Sequence, residues 1–407
     1  SDGALAAPAQ AEATLGLILP TLLEQGISHS SDEVRSLCTK QLLQLCKAAG
    51  PHMRPHVVQL VPALLETLSV LEDPALNYLQ QHAESAGVAQ SALESARVAA
   101  MRGSDATAAI DACLRVMDAP QFEAALPSII SLLTRGTGLP TRAGTARLLV
   151  QISQQQPLLL VPHAARLLRT LHSAAMHERS EAARSAYNAA AAQVARGAST
   201  EVLTRVVGEL CAAYTSDEGG VEYEMRFAAA AMVRELLRAA TDAMNRVQVD
   251  WVPLVFLGKH EPRTQAEVAD APTAAQKAER GRLATLWLEA YDEAGIGKSK
   301  LTLHLPEIVT LLTKVVNGPS WALRRAAAFC LLELHKEVTK EALARQPIEL
   351  AAMGELAALL RDKKWRDKEG EAREEIEKLG NAVRPPARRG ADGKAIEEEE
   401  EADSGDM

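Results

Sequence analysis

The residues whose types and spacing come nearest to a reactive site lie in DEAGIGKSK, residues 292–300. Gly297, Lys298 and Ser299 match the end of a phosphate-binding loop, in which backbone N–H groups surround phosphate oxygens and the lysine balances their charge. Such a loop needs a glycine five positions before Gly297, and that position is Asp292. A helical pattern precedes the stretch, where a β-strand would be required. We therefore interpret it as a glycine-rich turn between helices.

Histidine and cysteine, the commonest metal ligands and nucleophiles, show no reactive spacing. His52 and His56 are four residues apart, but a proline separates them and no glutamate accompanies them, so the zinc-helix pattern is absent. His172 and His177 are five apart, which is a poor spacing for one helix face. The sequence predicts no catalytic, cofactor-binding or metal-binding residue, and hence no enzyme.

The five cysteines indicate a reduced, intracellular protein, because they are scattered and include no CxxC pair. Two of them, Cys38 and Cys46, lie eight residues apart on a predicted helix. We expect these two to be small buried hydrophobic side chains and not metal ligands. The full set is Cys38, Cys46, Cys113, Cys211 and Cys330.

Composition and charge exclude several functional classes. The chain has 407 residues, of which 47% are hydrophobic and only 3% aromatic, and alanine and leucine are abundant. Both have high helix propensity, whereas sheets favour β-branched and aromatic residues, so the composition indicates an all-α protein. The net charge of −9 argues against nucleic-acid binding. No window of 18 residues is continuously apolar, which argues against membrane insertion.

Prolines recur along the chain in one local setting, a small apolar cluster that leads into a helical run. Two of the gaps between them are close to 40 residues, and the others fit one or two such units with insertions. The first turn of a helix leaves the N–H that proline lacks unpaired, so we expect these prolines to open helices. They are Pro20, Pro62, Pro127, Pro162, Pro253 and Pro306.

A second type of helical segment accompanies the proline segments. It starts with Ser or Asp, which are good N-caps, as in SSDEVRSLCTKQLLQLC from residue 30, and alanine fills the middle of HERSEAARSAYNAAAAQVAR from residue 177. The two segments together form a helical hairpin of about 40 residues, the signature of the HEAT class of α-solenoid. A single hairpin cannot bury its own apolar face, but stacked neighbours can. We expect about eight hairpins.

Changes in polarity divide the chain into four predicted segments. Residues 1–258 carry HEAT-like repeats and end in the apolar helix WVPLVFLG. Residues 259–282 have almost no large apolar side chain and are predicted to be a mobile polar insertion, which protease cuts first. Residues 283–379 carry further HEAT-like repeats and a terminal charged helix. Residues 380–407 include EEEEEADSGDM and are predicted to be a disordered acidic tail.

The charged segment RDKKWRDKEGEAREEIEKL, residues 361–379, admits two interpretations. A mixed-charge helix at the end of a solenoid is usually a solvated capping face. Alternatively, it is a partner-binding helix in which Trp365 is an exposed anchor. The candidate partner-binding residues are then Trp365, Lys363, Lys364 and Arg366.

Several segments, taken in order, resemble the large HEAT-repeat proteasome adaptor and scaffold family, also called the extracellular-mutant proteasome component. They include ALNYLQQHAESAGVAQSALESARVAAM from residue 75, TAAIDACLRVMDAPQFEAALPSIISLLTRGTGLP from residue 107, WVPLVFLGKHE from residue 251 and SWALRRAAAFCLLELHKEV from residue 320. In the family, a similar Gly-x-His-Glu stretch leads into a polar segment and then a Leu-Trp helix, here Leu286 and Trp287. The resemblance covers roughly residues 75–338 and only part of the C-terminal region of much longer family members.

The resemblance implies a noncatalytic adaptor without cofactors. Its expected partners are subunits of the proteasome core and regulatory particles, which the family bridges or stabilises while assisting quality control of assembly. The implied location is the cytoplasm and the nucleus. Two rival hypotheses stay open: a HEAT-repeat scaffold for another complex, in transport or translation regulation, and an enzyme that uses the turn at residues 295–300. A solenoid's extended surface suits bridging better than enclosing a transition state.

Overall fold

In the part of the chain that the computed structural model describes, all regular structure is helical, which confirms the predicted all-α fold of HEAT-like hairpins. The described residues are 2–70, 75, 78, 89–216, 222–261, 274–318, 320–338 and 345–359. The chain divides into two compact units, Ser1–Trp251 and Val252–Met407.

The first unit is a succession of helices joined by short turns. In chain order they are α1 Asp2–Thr21, α2 Asp32–Ala49, α3 Val57–Val70, α4 Gln90–Arg102, α5 Asp105–Leu114, α6 Ala119–Arg135, α7 Leu139–Gln155, α8 Ala164–His177, α9 Glu181–Ala195, α10 Thr200–Thr215, α11 Glu222–Ala239 and α12 Thr241–Met244. Helix α13, Gln248–Gly258, contains the division between the units. Short π or 3-10 segments are Leu22–Gly26, Gly50–His56, Pro157–Leu159, Val161–His163 and Asn245–Val247.

Two layers of helices form the core of the first unit. Helices α6, α8 and α10 pack in one layer, and α7, α9 and α11 pack side by side in the other. The second layer is rich in alanine, and α9 fully buries Ala190, Ala191 and Ala192. Small side chains let neighbouring helix axes approach closely, which is why the alanine-rich segments lie inside the stack. Helix α4 packs against both α7 and α9.

Polar caps start several of these helices, although Ser31, at the predicted N-cap of α2, makes no side-chain capping hydrogen bond. The side chains of Ser104, Ser180 and Ser199 each accept a hydrogen bond from the backbone N–H three residues further on. Asp118 and Gln121 form a reciprocal capping box at the start of α6. These bonds satisfy N–H groups that a helix leaves without an internal partner, and each such cap stabilises its helix by about 1 kcal/mol.

The expectation that the recurrent prolines open helices is wrong for four of the six. Pro20, Pro62, Pro127 and Pro253 lie inside α1, α3, α6 and α13, whereas Pro306 stands in the first turn of its helix. An internal proline removes one helical hydrogen bond and clashes with the preceding turn, which costs about 3 kcal/mol in an unsupported helix. The residue before each internal proline is buried, and burial of the surrounding apolar side chains offsets this cost.

The second unit begins at Val252, within α13, and contains a smaller set of helices. These are α14 Ala274–Ala294, α15 Lys298–Leu303, α16 Leu305–Val316, α17 Trp321–Glu337 and α18 Pro347–Leu359. Helix α16 packs against both α17 and α18. The fully buried indole of Trp287 lies directly against Gly258, where any side chain would collide with it.

The predicted insertion at residues 259–282 is too long at both ends. Glu261 is buried, and α14 already begins at Ala274. Alanine, lysine, glutamate and arginine from this point have high helix propensity, so the scarcity of large apolar side chains did not prevent a helix. Residues 262–273, on which the prediction of mobility mainly falls, lie outside the described residues. The same holds for residues 360–407, including the predicted charged helix and acidic tail.

Candidate interaction surface

Three arginines recur every 42 residues in the first unit, and two of them connect consecutive hairpins. Arg142, Arg184 and Arg226 lie near the starts of α7, α9 and α11. Arg142 Nε is 2.9 Å from Glu178 Oε2, and Arg184 Nη2 is 3.0 Å from Glu224 Oε2. Each glutamate belongs to the hairpin after that of its arginine. The spacing of 42 is therefore the repeat length, and these ion pairs fix the register between repeats.

The first of these ion pairs lies in a partly buried position. The Glu178 side chain is 10% exposed and that of Arg142 is 27% exposed. Glu178 Oε1 also accepts a hydrogen bond from the Ser180 backbone N–H at 3.0 Å. Beneath the pair, the Tyr187 hydroxyl donates to the carbonyl oxygen of Leu133 at 2.9 Å, and burial raises the pKa of this phenol. A multiply bonded, shielded pair stabilises more than an exposed one.

A cleft of about 580 Å³ opens beside this ion pair, where the end of α6 and the start of α7 meet the end of α8 and the start of α9. Leu133 and Ala174 line its apolar part. Arg135, His177 and Arg179 line its polar part, and all three are exposed. Neither Arg135 nor Arg179 has a salt-bridge partner in the described part of the chain.

The cleft carries a surplus of positive charge. Glu178 is the one carboxylate among its described lining residues, and Arg142 neutralises it. The surrounding sequence shows the same bias, because residues 89–216 contain twelve arginines, no lysine and nine carboxylates. The whole chain, in contrast, has a net charge of −9. Guanidinium groups offer a planar fork of donors that binds carboxylates in two-point contacts, so the cleft is suited to an acidic side chain of a partner.

The opposite edge of the same hairpins has a different character. A second cleft of about 550 Å³ is lined by residues at the ends of α7, α9 and α11, among them Pro157, Gly197 and Ala240. Leu158, in the adjoining turn, is 81% exposed, and Val161 is 48% exposed. Exposed apolar side chains beside a concave surface are typical of protein contacts, although single ones are common on any surface.

A polar cluster in the second unit holds the GKHE stretch in place. Lys259 Nζ donates to both carboxylate oxygens of Glu333, at 2.6 and 2.8 Å, and lies 4.2 Å from the centroid of the Tyr291 ring. His260 Nε2 is 3.1 Å from Glu333 Oε2. Burial alone would raise the pKa of Glu333, but His260 and Lys259 lower it to about 2. The cluster ties the end of α13 to α17, which is a structural role.

The turn at residues 295–300 is a connection between helices, as predicted. Helix α14 precedes it, and α15 begins at Lys298 and has only 6 residues. Gly295 adopts a φ of +54°, a value that favours glycine. Lys298 Nζ lies 3.1 Å from Glu337 Oε2, so its charge is already paired. No strand feeds the turn, and its geometry is not that of a phosphate-binding loop.

The histidine candidates lie in separate places. His52 and His56 belong to the 3-10 segment Gly50–His56. His172 Nδ1 lies 3.1 Å from Glu209 Oε2, and burial lowers the pKa of His172 despite this carboxylate. Among the described residues, no group of three or more His, Cys, Asp or Glu could hold a metal ion. The candidate partner-binding residues fall in residues 360–407, outside the described part, namely Trp365, Lys363, Lys364 and Arg366.

No helix in the described ranges is both long and apolar enough to cross a membrane. The sequence motifs did not point to Arg135 and Arg179, because single exposed arginines have no signature. The recurrence of arginine at an interval of 42 residues was the available signal, since it points to the turns where the cleft lies.

The region that contains the cleft and the ion pair between Arg142 and Glu178 matches a known family. Residues 53–215 match the family described as proteasome adapter and scaffold protein ECM29, HEAT-repeat domain. Human proteasome adapter and scaffold protein ECM29 is 30% identical over 334 residues, which are 81% of this chain. Residues 53–215 therefore form an ECM29-family HEAT-repeat domain. The predicted resemblance is thereby confirmed.

Other ECM29 proteins align with the chain over a similar extent. Proteasome component ecm29 of Schizosaccharomyces pombe is 23% identical over 358 residues, or 87% of this chain. The proteasome-associated ECM29 homolog of Drosophila melanogaster is 24% identical over 313 residues, or 76% of this chain. The chain spans only 17%, 20% and 15% of the human, yeast and fly relatives, respectively. The matched family is one of adapters and scaffolds, which supports the expected absence of catalysis.

Among solved structures, the karyopherin Kap121p bound to the SUMO protease Ulp1p aligns with 91% of this chain and 40% of its own. The sequence identity is 13% and the TM-score 0.39. A similarity this low bears on neither the partners nor the function of this chain. The HEAT-repeat assignment stands on the family match and on the hairpins themselves.

Proposed function

We propose that this ECM29 chain is a noncatalytic, proteasome-binding segment of an adapter and scaffold. The support is the family match over residues 53–215 and the names of the relatives, all of which refer to the proteasome. Stacked hairpins bury their apolar faces between repeats and leave long edges exposed to partners. Such edges suit contacts with large assemblies better than chemistry in a closed pocket.

The finer role that we propose is to bridge or stabilise the core and regulatory particles and to assist quality control of their assembly. Bridging requires two contact surfaces that can be occupied at the same time. The first unit has two candidate edges of different chemistry, one cationic at Arg135 and Arg179 and one apolar at Leu158 and Val161. This difference supports a scaffold that meets two unlike surfaces.

Of the two edges, we propose the cationic cleft as a proteasome contact. Its two exposed arginines have no carboxylate partner within the described ranges, and guanidinium–carboxylate pairs form readily across protein interfaces. Charge attraction of this kind acts chiefly on the association rate and weakens with salt. We therefore expect capture of proteasomes to decrease as the ionic strength increases.

The experiment is affinity capture of the tagged full chain from a native lysate, with and without ATP, read by mass spectrometry. We expect subunits of both particles above the level of a scrambled-solenoid control. The double variant Arg135→Glu/Arg179→Glu should lose most of this recovery. The matched control is Arg166→Glu/Arg169→Glu, which reverses the same number of charges on exposed positions of α8 away from the cleft.

Each outcome of the capture experiment decides one part of the proposal. Equal loss in both double variants would refute the cleft as the contact while leaving proteasome binding in place. Recovery of a different dominant complex would favour a HEAT-repeat scaffold for transport or translation regulation. No proteasome subunits above control would refute binding by this segment. A location in the cytoplasm and the nucleus stays a prediction, which fluorescence microscopy of the tagged chain tests.

A further inference from the structure

Two cysteines that lie far apart in the sequence meet in the core of the first unit. Cys46 is in the last turn of α2 and Cys113 is in α5, and these two helices pack against each other. Their sulfur atoms are 3.8 Å apart, although 67 residues separate them along the chain. Both side chains are buried, with Cys46 4% exposed and Cys113 fully enclosed, and both are free thiols.

We propose that Cys46 and Cys113 form a site of reversible oxidation, at which a small peroxide converts the two thiols into an intramolecular disulfide. A disulfide requires the sulfur atoms to approach to about 2.05 Å. The pair lies roughly 1.8 Å beyond that bond length, a gap that small rotations of both side chains and a slight helix shift can close. The proposal goes beyond adapter function, because it does not depend on any partner.

The surroundings of the two thiols give them different roles. A hydrogen bond from Cys113 lowers the pKa of Cys46, while the same contact and burial raise the pKa of Cys113. The thiolate is the nucleophile in thiol oxidation, so Cys46 is the sulfur that attacks and Cys113 is the one that resolves. The greater exposure of Cys46 agrees with this order.

The reaction balances with hydrogen peroxide as the oxidant. The Cys46 thiolate attacks one peroxide oxygen, the O–O bond breaks, and the departing hydroxide takes a proton to become water. Cys46 is now a sulfenic acid. The Cys113 sulfur attacks the Cys46 sulfur, the S–O bond breaks, and the hydroxyl leaves as a second water with the thiol proton. Two thiols have lost two electrons and two protons, and one peroxide has become two waters.

Burial of the two thiols determines which oxidants can reach them, and the position of the new disulfide determines its effect on stability. A peroxide is close to water in size and can reach a sulfur that is 4% exposed, whereas a glutathione-sized disulfide must wait for the helices to separate. Once formed, the bond joins α2 to α5 across 67 residues of chain. A cross-link of this span restricts the unfolded chain, so oxidation should raise the unfolding temperature of this region.

The test is oxidation of the full native chain with hydrogen peroxide, followed by alkylation under denaturing conditions and peptide mapping. Of the five thiols, two should be lost, and a linked peptide pair should contain Cys46 and Cys113. Dithiothreitol should restore both thiols. Glutathione disulfide at the same concentration should produce the link at least about tenfold more slowly, as expected for a buried site.

Single cysteine variants distinguish the attacking thiol from the resolving thiol. Cys113→Ser should stop at the Cys46 sulfenic acid, which dimedone traps, whereas Cys46→Ser should yield neither the link nor a trapped Cys113. Cys211→Ser, at a half-buried position in the same unit, should leave the link unchanged. An unchanged thiol count in the native wild type, or links that join all five cysteines at random, would overturn the proposal. The wild-type map decides this even where a variant fails to fold.

Discussion

Replacing Glu333 by glutamine tests how much the Lys259 cluster stabilises the second unit of the chain. The change removes a carboxylate that accepts two hydrogen bonds from Lys259 and faces His260, while it keeps the size of the side chain. Burial alone would raise the pKa of Glu333, but its two cationic neighbours lower it from 4.5 to about 2. The ionised form is therefore favoured by the folded state.

The magnitude follows from this pKa shift. A shift of that size corresponds to a contribution of about 3 kcal/mol to the free energy of unfolding. Because 21% of the side chain is exposed, solvent screening reduces this contribution to about 2 kcal/mol. Since the folded pKa is depressed, this stability is present above about pH 4.5 and is lost as the pH falls through about 2. Glu333→Gln should therefore destabilise the second unit by about 2 kcal/mol at pH 7 and by progressively less in acid.

Hydrogen exchange at pH 7 measures this loss of stability at α17, the helix that carries Glu333. Amides of α17 in Glu333→Gln should lose protection by roughly 30-fold, the factor that corresponds to 2 kcal/mol, and those of α9 should be unchanged. Urea unfolding from pH 7 to pH 2 follows the acid dependence. The control is Glu337→Gln, which removes a more exposed ion pair with Lys298. It should lower the free energy of unfolding by less than about 1 kcal/mol. Equal effects of both variants, or a difference that persists at pH 2, would refute the reasoning.

Three further predictions concern single contacts. Tyr187→Phe removes the donor to the Leu133 carbonyl and should cost about 1 to 3 kcal/mol, seen as faster hydrogen exchange in α9; unchanged exchange would show that water replaces the hydroxyl. Gly258→Ala places a methyl group in collision with the Trp287 ring and should cost about 1 to 3 kcal/mol in urea unfolding of the second unit; a neutral result would mean that the indole moves freely. Lys298→Ala should not alter calorimetry with ATP and Mg²⁺, where we expect no heat from either chain; a binding signal that this variant removes would establish a nucleotide site.

The recurring pattern of prolines, caps and alanine-rich runs was enough to predict helical hairpins of the HEAT class. This pattern is local, because a buried helix face and a polar cap are specified by residues a few positions apart. The positions of the prolines were predicted less well. Pro62 and Pro127 lie inside helices, since burial of their neighbours outweighs a lost hydrogen bond. Local propensity alone does not reveal which of these two effects prevails.

Part of the candidate surface could be predicted from the sequence, and part of it follows only from the tertiary structure. The interval of 42 residues between Arg142 and Arg184 can be read from the sequence, but their ionic partners cannot, because Glu178 and Glu224 stand among many other acidic residues. Likewise, Arg135 has the sequence context of any helix-terminal arginine, which usually serves only the helix dipole. Its place in a cationic cleft follows from the packing of α6 and α7 against α8 and α9.

The sequence by itself determined the helical class, the repeat length and the ECM29 resemblance, because each of these rests on a pattern that recurs along the chain. Only the tertiary structure decided which side chains meet. The contact between Cys46 and Cys113 is the clearest case, since helix packing brings together two sulfur atoms that are 67 residues apart. Contacts between helices depend on the angles and spacing at which they pack, and no local residue pattern specifies these quantities.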